Sequence, residues 1–130
     1  MVAVLPSGHP LVQKDILTLE DLLDEEMILL DEGEYSLPRV AFDKQGLVPK
    51  IRYEIYDDNT ILEMIRQGLG ISLMYERTLD GYDQGLVRKE VPELPGRKVA
   101  LAWKNRETMS YASGLFLEEI LAYFRHRQIT

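Results

Sequence analysis

The stretch YEIYDDNTILEMIRQGLGISLMYE, residues 53–76, decides the fold of this chain. It begins inside a run in which apolar Ile51, Tyr53 and Ile55 alternate with Arg52 and Glu54, the pattern of a half-buried strand. Four polar residues follow, Asp57-Asp58-Asn59-Thr60, and then Ile61, Met64, Ile65 and Leu69 recur at helical spacing. Thr60 and Glu63 fit an S/T-x-x-E capping box, with Asp57, Asp58 and Asn59 as alternative caps. Gly68 suits the left-handed position past a helix end, and Gly70 allows a close turn into the apolar run ISLMY. Strand, capped helix and strand in direct succession make a crossover unit. In open α/β sheets, ligands bind at the carboxyl ends of strands, beside helix N-termini whose free N–H groups point outward. On these residues alone the run reads equally as a well-capped crossover helix or as one wall of a ligand site.

The flanking sequence repeats the alternation. VAVLP (2–6) reads as a short buried strand. TLEDLLDEE (18–26) reads as a short helix with Thr18 as cap and Asp21 three residues on, and MILL (27–30) as a compact strand. SLPRVAFDKQG (36–46) carries Ser36 as a cap, Pro38 in the first turn and Gly46 as a stop. LVRKEV (86–91) and KVALAWK (98–104) read as further strands. The end of the chain is a helix whose apolar face holds Met109, Phe116, Leu117, Ile120, Leu121 and Phe124. Alternating strands and helices predict an α/β sandwich with a mostly parallel sheet flanked by helices.

At 130 residues the chain is one domain's worth, long enough for a real core. Its formal charge is −7, with basic residues dispersed apart from RHR at 125–127. That balance argues against direct nucleic-acid binding, which draws on Lys and Arg to neutralise phosphates. The chain has no cysteine, which excludes disulfides, thiolate metal sites and cysteine nucleophiles and suits a reducing, cytoplasmic setting. No apolar run approaches the roughly 18 residues of a membrane span, and MVAVLPSGHPL lacks the basic and small-residue features of a signal peptide.

Three phrases in order, LPSGHPL (5–11), LTLEDLLDEEMILL (17–30) and GLVPKIRYEIYDDNTILEMIRQGLGISLMY (46–75), resemble the effector-binding domain of LysR-type transcriptional regulators. Asp58, Thr60-Ile61, Met64-Ile65 and Gly68-Leu69-Gly70-Ile71 match that family's most recognisable run, and His9-Pro10-Leu11 its inter-lobe crossover. The resemblance covers essentially the whole chain. It implies a Rossmann-like lobe of a type 2 periplasmic-binding-protein-like fold, with a small-molecule effector held between two lobes. Residues 1–6 would be the crossover strand from lobe I and 7–95 regulatory lobe II. Residues 96–130 would be the returning strand and C-terminal helix of lobe I. DNA would be bound only through an N-terminal helix-turn-helix, which would lie outside these 130 residues, as would the first part of lobe I.

The resemblance also implies a cleft lined by Glu34, Tyr35 and Ser36 from the loop before one helix, and by Leu73, Met74 and Tyr75 after the Gly-Leu-Gly turn. The second helix start adds Asp58, Asn59 and Thr60. The chain departs from the family where EGEY stands in place of the usual Gly or Ser, and at Tyr75, near which the family often has Pro. Asp31, Glu32, Glu34, Asp57 and Asp58 oppose a small anion at these helix starts, so a neutral, amine-bearing or zwitterionic effector is expected. The apolar face of the last helix implies self-association, as a dimer or larger.

Other residues read as structural. His9 has no carboxylate partner indicated by the sequence, and His126 reads as solvated charge complementing a helix end. The acids of 20–34 lack the ligand spacing of a Ca²⁺ loop, and Trp103 reads as core or interface. No nucleophile elbow, phosphate loop or metal pair is present, so no catalytic residue, metal or cofactor is expected. A small α/β enzyme and a stand-alone solute-binding module remain the alternatives to a regulator.

Overall fold

The structure, a computed structural model, describes residues 1–82 and 84–127, the last two by backbone alone. The reading of His126 therefore lies outside the described side chains. Residues 1–97 form one compact unit, and the chain from Lys98 onward forms a second.

The first unit contains β1 (Val2–Pro6), β2 (Glu26–Leu30), α1 (Leu37–Lys44), β3 (Lys50–Ile55), α2 (Asp58–Arg66), β4 (Ser72–Met74) and β5 (Leu86–Glu90). β2 pairs in parallel with β3, and β1 pairs antiparallel with both β4 and β5. A parallel bridge between Met27 and Ile71 joins the two ladders. Its bonds are Ile28 N–H to the Ile71 carbonyl at 2.8 Å and Ile71 N–H to the Glu26 carbonyl at 2.9 Å. The strand order is thus β3-β2-β4-β1-β5. β2, β3, β4 and β5 run in one direction and β1 runs against them. The expected α/β class and mostly parallel strand direction hold, with the antiparallel pairings confined to β1.

Side-chain alternation splits the core into two layers. On one face Ala3, Leu5, Met27, Leu29, Ile71 and Leu73 pack with Phe42 of α1 and with Leu17, Leu19 and Leu22. On the other, Val2, Val4, Ile28 and Met74 pack with Ile61, Leu62 and Ile65 of α2. Both faces of the sheet are therefore covered, as a doubly wound lobe requires.

Both helices end as their glycines predict. Gly68 N–H donates to the Ile65 carbonyl at 2.9 Å and Leu69 N–H to Met64 at 3.0 Å, a Schellman motif with Gly68 at φ +73°. Gly46 and Leu47 repeat it at the end of α1, donating to Asp43 and Phe42. The start of α2 differs from the expected box. Asp57 is the cap, accepting from Thr60 N–H and Thr60 Oγ1, each at 2.7 Å, and Glu63 turns to Arg66 at 2.6 Å instead. An Asp three residues before a free N–H makes the tighter, charge-assisted bond and so outcompetes Thr60 for the cap.

Two elements depart from expectation. Residues 18–26 hold a single 3₁₀ turn, Glu20–Leu22, although Thr18 and Asp21 do exchange reciprocal bonds at 3.0 and 3.3 Å. Leu17, Leu19 and Leu22 are all fully buried, and β2 begins at Glu26, which leaves no length for further turns. KVALAWK forms no ladder: residues 98–104 pair with no strand among the described residues. Alternation alone does not make a strand, because its backbone donors and acceptors need a neighbour. In the second unit α3 (Tyr111–Arg127) and the 101–103 segment enclose a hollow of about 350 Å³ lined by Trp103, Met109, Phe116, Leu117 and Ile120. Leu117 is buried, while Phe116 is 66% exposed and Phe124 46%.

Gly70 is where β4 comes alongside β2. A Cβ there would collide with the Glu26 carbonyl oxygen and lie 3.2 Å from Ile28 Cγ1. Gly70→Ala must push the two strands apart at their joining bridge, so a loss of about 1–3 kcal/mol is expected from overpacking. Urea unfolding of the variant beside the parent measures it.

Candidate functional site

The carboxyl ends of β2, β3 and β4 meet at one edge of the sheet, and α1 and α2 begin there. Each strand delivers a polar residue just past its last paired position. Asp31 N–H donates to the Ile55 carbonyl at 2.9 Å, carrying the β2–β3 pairing one residue further, and Asp31 Oδ1 then accepts from Gly33 N–H. This turn places Glu32 opposite Tyr75, whose hydroxyl donates to both carboxylate oxygens at 3.0 and 3.2 Å. The Arg97 guanidinium lies 3.6 Å from Glu32 and 5.0 Å from the centre of the Tyr75 ring.

The edge is electrostatically uneven. Burial, then the charges of Asp57 and Glu32, hold the Asp58 carboxyl above its ordinary value. The Tyr75 phenol is raised by burial and by its bond to Glu32, with Arg97 opposing. The exposed Tyr56 phenol is raised first by its hydrogen bond to Asp31. Asp57 moves the other way, because the Thr60 hydroxyl and N–H both stabilise its anion.

The expected site residues separate into groups. Ser36, Asp58 and Tyr75 are at least partly shielded at this edge. The Ser36 backbone caps α1, but its Oγ is buried and makes no hydrogen bond among the described residues, a state that costs about 1–3 kcal/mol for a lone hydroxyl. Glu34, Tyr35, Asn59 and Thr60 are exposed, and Thr60 is engaged by Asp57. Leu73 and Met74 point to opposite faces of the sheet and are both core. They can present only main chain to a ligand. Glu32 and Arg97 also stand at this edge, although neither is among the expected site residues. Glu32 stands two residues past the end of β2, the strand-end signal that could have found it, whereas nothing local in the sequence marks Arg97.

His9 does have a carboxylate partner, contrary to expectation. Its Nε2 lies 3.1 Å from Glu25, and its Nδ1 accepts from Leu11 N–H at 3.2 Å. With both nitrogens engaged, the ring pins the turn Pro10–Gln13 to the loop before β2. This pair lies at the amino ends of β2 and β3, away from the polar edge.

The profile of the LysR substrate binding domain matches residues 1–125. The chain belongs to that family. Among curated relatives, the uncharacterized HTH-type transcriptional regulator YvbU of Bacillus subtilis is 34% identical over 121 residues, covering 91% of this chain and 41% of YvbU. Among solved structures, the CcmR regulatory domain of Synechocystis PCC6803 in complex with 2-PG superposes with a TM-score of 0.75 at 24% identity. That match covers 94% of this chain and 61% of that one. The effector binding domain of QuiR in complex with shikimate gives 0.62 at 24% identity, over 73% of this chain and 46% of that one. At such identity these two show a shared fold, the periplasmic-binding-protein-like α/β architecture. The chain spans about a quarter to two fifths of the length of the curated relatives it matches.

The two adjacent aspartates are shifted in opposite directions from their ordinary value. Asp57, depressed, stabilises the fold above its ordinary 3.8 and loses that contribution as pH falls through its lowered value. Asp58, raised, costs stability as pH climbs from 3.8 through its raised value and its carboxylate ionises. Carbon-detected NMR titration should find Asp58 titrating at higher pH than Asp57, and Glu32→Gln should narrow the gap. Asp58 titrating at or below Asp57 would contradict the electrostatic description.

Proposed function

We propose that this chain is the effector-sensing part of a LysR-type bacterial transcription regulator. Family membership supports a regulator, and the helix-turn-helix named in YvbU supports DNA binding through a segment outside these 130 residues. The net charge of −7 fits a sensor rather than a DNA-contacting part. The single observation that carries effector binding is the polar edge itself. Glu32 and Tyr75 are bonded across two strand ends, and the charge of Glu32 reaches partly buried Asp58, at the edge where α/β lobes take ligands. QuiR with shikimate and CcmR with 2-PG, relatives in fold, have small molecules bound.

On this reading residues 1–6 are a crossover strand, 7–95 the regulatory lobe and 96–130 a return to the other lobe. Effector binding favours one arrangement of lobes, and differential affinity is what transmits the signal. The protein works in the cytoplasm as a sensor rather than an enzyme, with His9 spent on structure. It self-associates through the apolar face of α3. Val99, Tyr111 and Phe116 are strongly exposed apolar side chains in that second unit, and a second copy covers them.

A thermal-melting screen against small metabolites tests sensing. A hit should raise the midpoint of the parent, and Tyr75→Ala should weaken its apparent affinity about tenfold, the scale of one lost charge-assisted hydrogen bond. An unchanged affinity in Tyr75→Ala would place the effector elsewhere. Sedimentation velocity at micromolar concentration should show a dimer or larger, and Phe116→Asp should shift it toward monomer. A monodisperse parent monomer would overturn self-association.

A further inference from the structure

We propose that the Glu32–Tyr75 pair is a seat for a cationic group of the effector, and that the Arg97 guanidinium is its resident occupant, displaced when such a ligand binds. The proposal rests on the reading of this edge as the effector site and adds the chemical class of the ligand.

The seat is built and held. Glu32 has a side chain only 19% exposed, and Tyr75 fixes both its oxygens from one side at 3.0 and 3.2 Å. A carboxylate has about four acceptor positions, so the Tyr75 bonds leave capacity for N–H donors. The Tyr75 ring offers its negative face in the same place, as the 5.0 Å approach of Arg97 shows. Carboxylate, phenol and aromatic face together are the elements that recognise an ammonium or guanidinium group.

The occupant is loosely held. Arg97 approaches Glu32 at 3.6 Å, beyond hydrogen-bond range, and its side chain is 59% exposed. An ion pair this open to water is screened and weak, unlike the charge-assisted bond its geometry just misses. Arg97 therefore marks what the seat prefers without sealing it. A ligand cation that reaches Glu32 at hydrogen-bond distance replaces a poor contact with a good one.

The surrounding charge excludes the opposite assignment. An anion held by Arg97 would sit against Glu32, which already balances that guanidinium, with Asp57 and Asp58 close enough to act on one another. A cation meets this field favourably. It also relieves the burden on Asp58.

Methylguanidinium chloride, titrated at constant ionic strength with the Tyr75 ring signals followed by NMR, tests the idea on the whole chain. Acetate serves as the anionic counterpart. Saturable shifts are expected with methylguanidinium, about two- to sixfold tighter in Arg97→Ala because the weak internal competitor is gone, and absent in Glu32→Gln. Circular dichroism melts keep a misfolded Glu32→Gln from counting as support, and in that event Glu32→Asp, which moves the carboxylate, should weaken binding instead. Equal affinity in the parent and Arg97→Ala would overturn displacement. Saturation by acetate alone would overturn the cation assignment while leaving the edge a ligand site. No saturable shift from either probe in any variant would overturn both.

Discussion

A single close approach between two backbones organises the lobe. At Gly70 the chain passes against the Glu26 carbonyl with no room for a Cβ, and the next residue, Ile71, bonds to both sides of Met27. Those two hydrogen bonds join the β2–β3 ladder to the β4–β1–β5 ladder. Without them each ladder would present an open edge, and the two core layers would lose the surface they share. The same join brings the ends of β2 and β4 side by side. Glu32 and Tyr75, far apart in sequence, meet across it.

The polar edge shows how one set of acids divides its work. Asp57 is consumed by the helix it caps, with its anion stabilised by Thr60. Asp31 is consumed by the turn, through Gly33. Glu32 is left with a phenol and a loosely attached guanidinium, and its charge reaches Asp58. The acids of two strand-to-helix turns therefore separate into structural caps and groups left without a capping role, and hydrogen-bond geometry makes that division. Ser36 adds a buried hydroxyl with no hydrogen-bond partner among the described residues at the start of α1.

Much of the lobe was legible from local pattern. The alternation at 50–55, the helical spacing after Thr60 and the glycines at 46 and 68 each report a conformation set within a few residues, and each appears where expected. The errors share a cause. The capping box at Thr60 lost to Asp57 because several caps competed and only geometry ranks them. The 18–26 helix shrank to one turn because buried Leu17, Leu19 and Leu22 had to meet β2 at Glu26. The 98–104 strand failed for want of a partner. At the candidate site, Leu73 and Met74 are buried because β4 is central and covered on both faces, a fact of strand order that no local pattern carries.

The sequence by itself determined the crossover unit, the helix stops, the acidic character of the loops and the resemblance to LysR effector-binding domains, which the family match then established. These follow from backbone preferences and side-chain spacing over short distances. Tertiary structure alone decided that Glu32 faces Tyr75, that Arg97 reaches both from more than 20 residues away, and that His9 is tied to Glu25. It also decided the strand order, with β1 as the one strand running against the rest. Such contacts depend on which strand ends a single backbone bridge brings together, and that information is spread over the whole lobe.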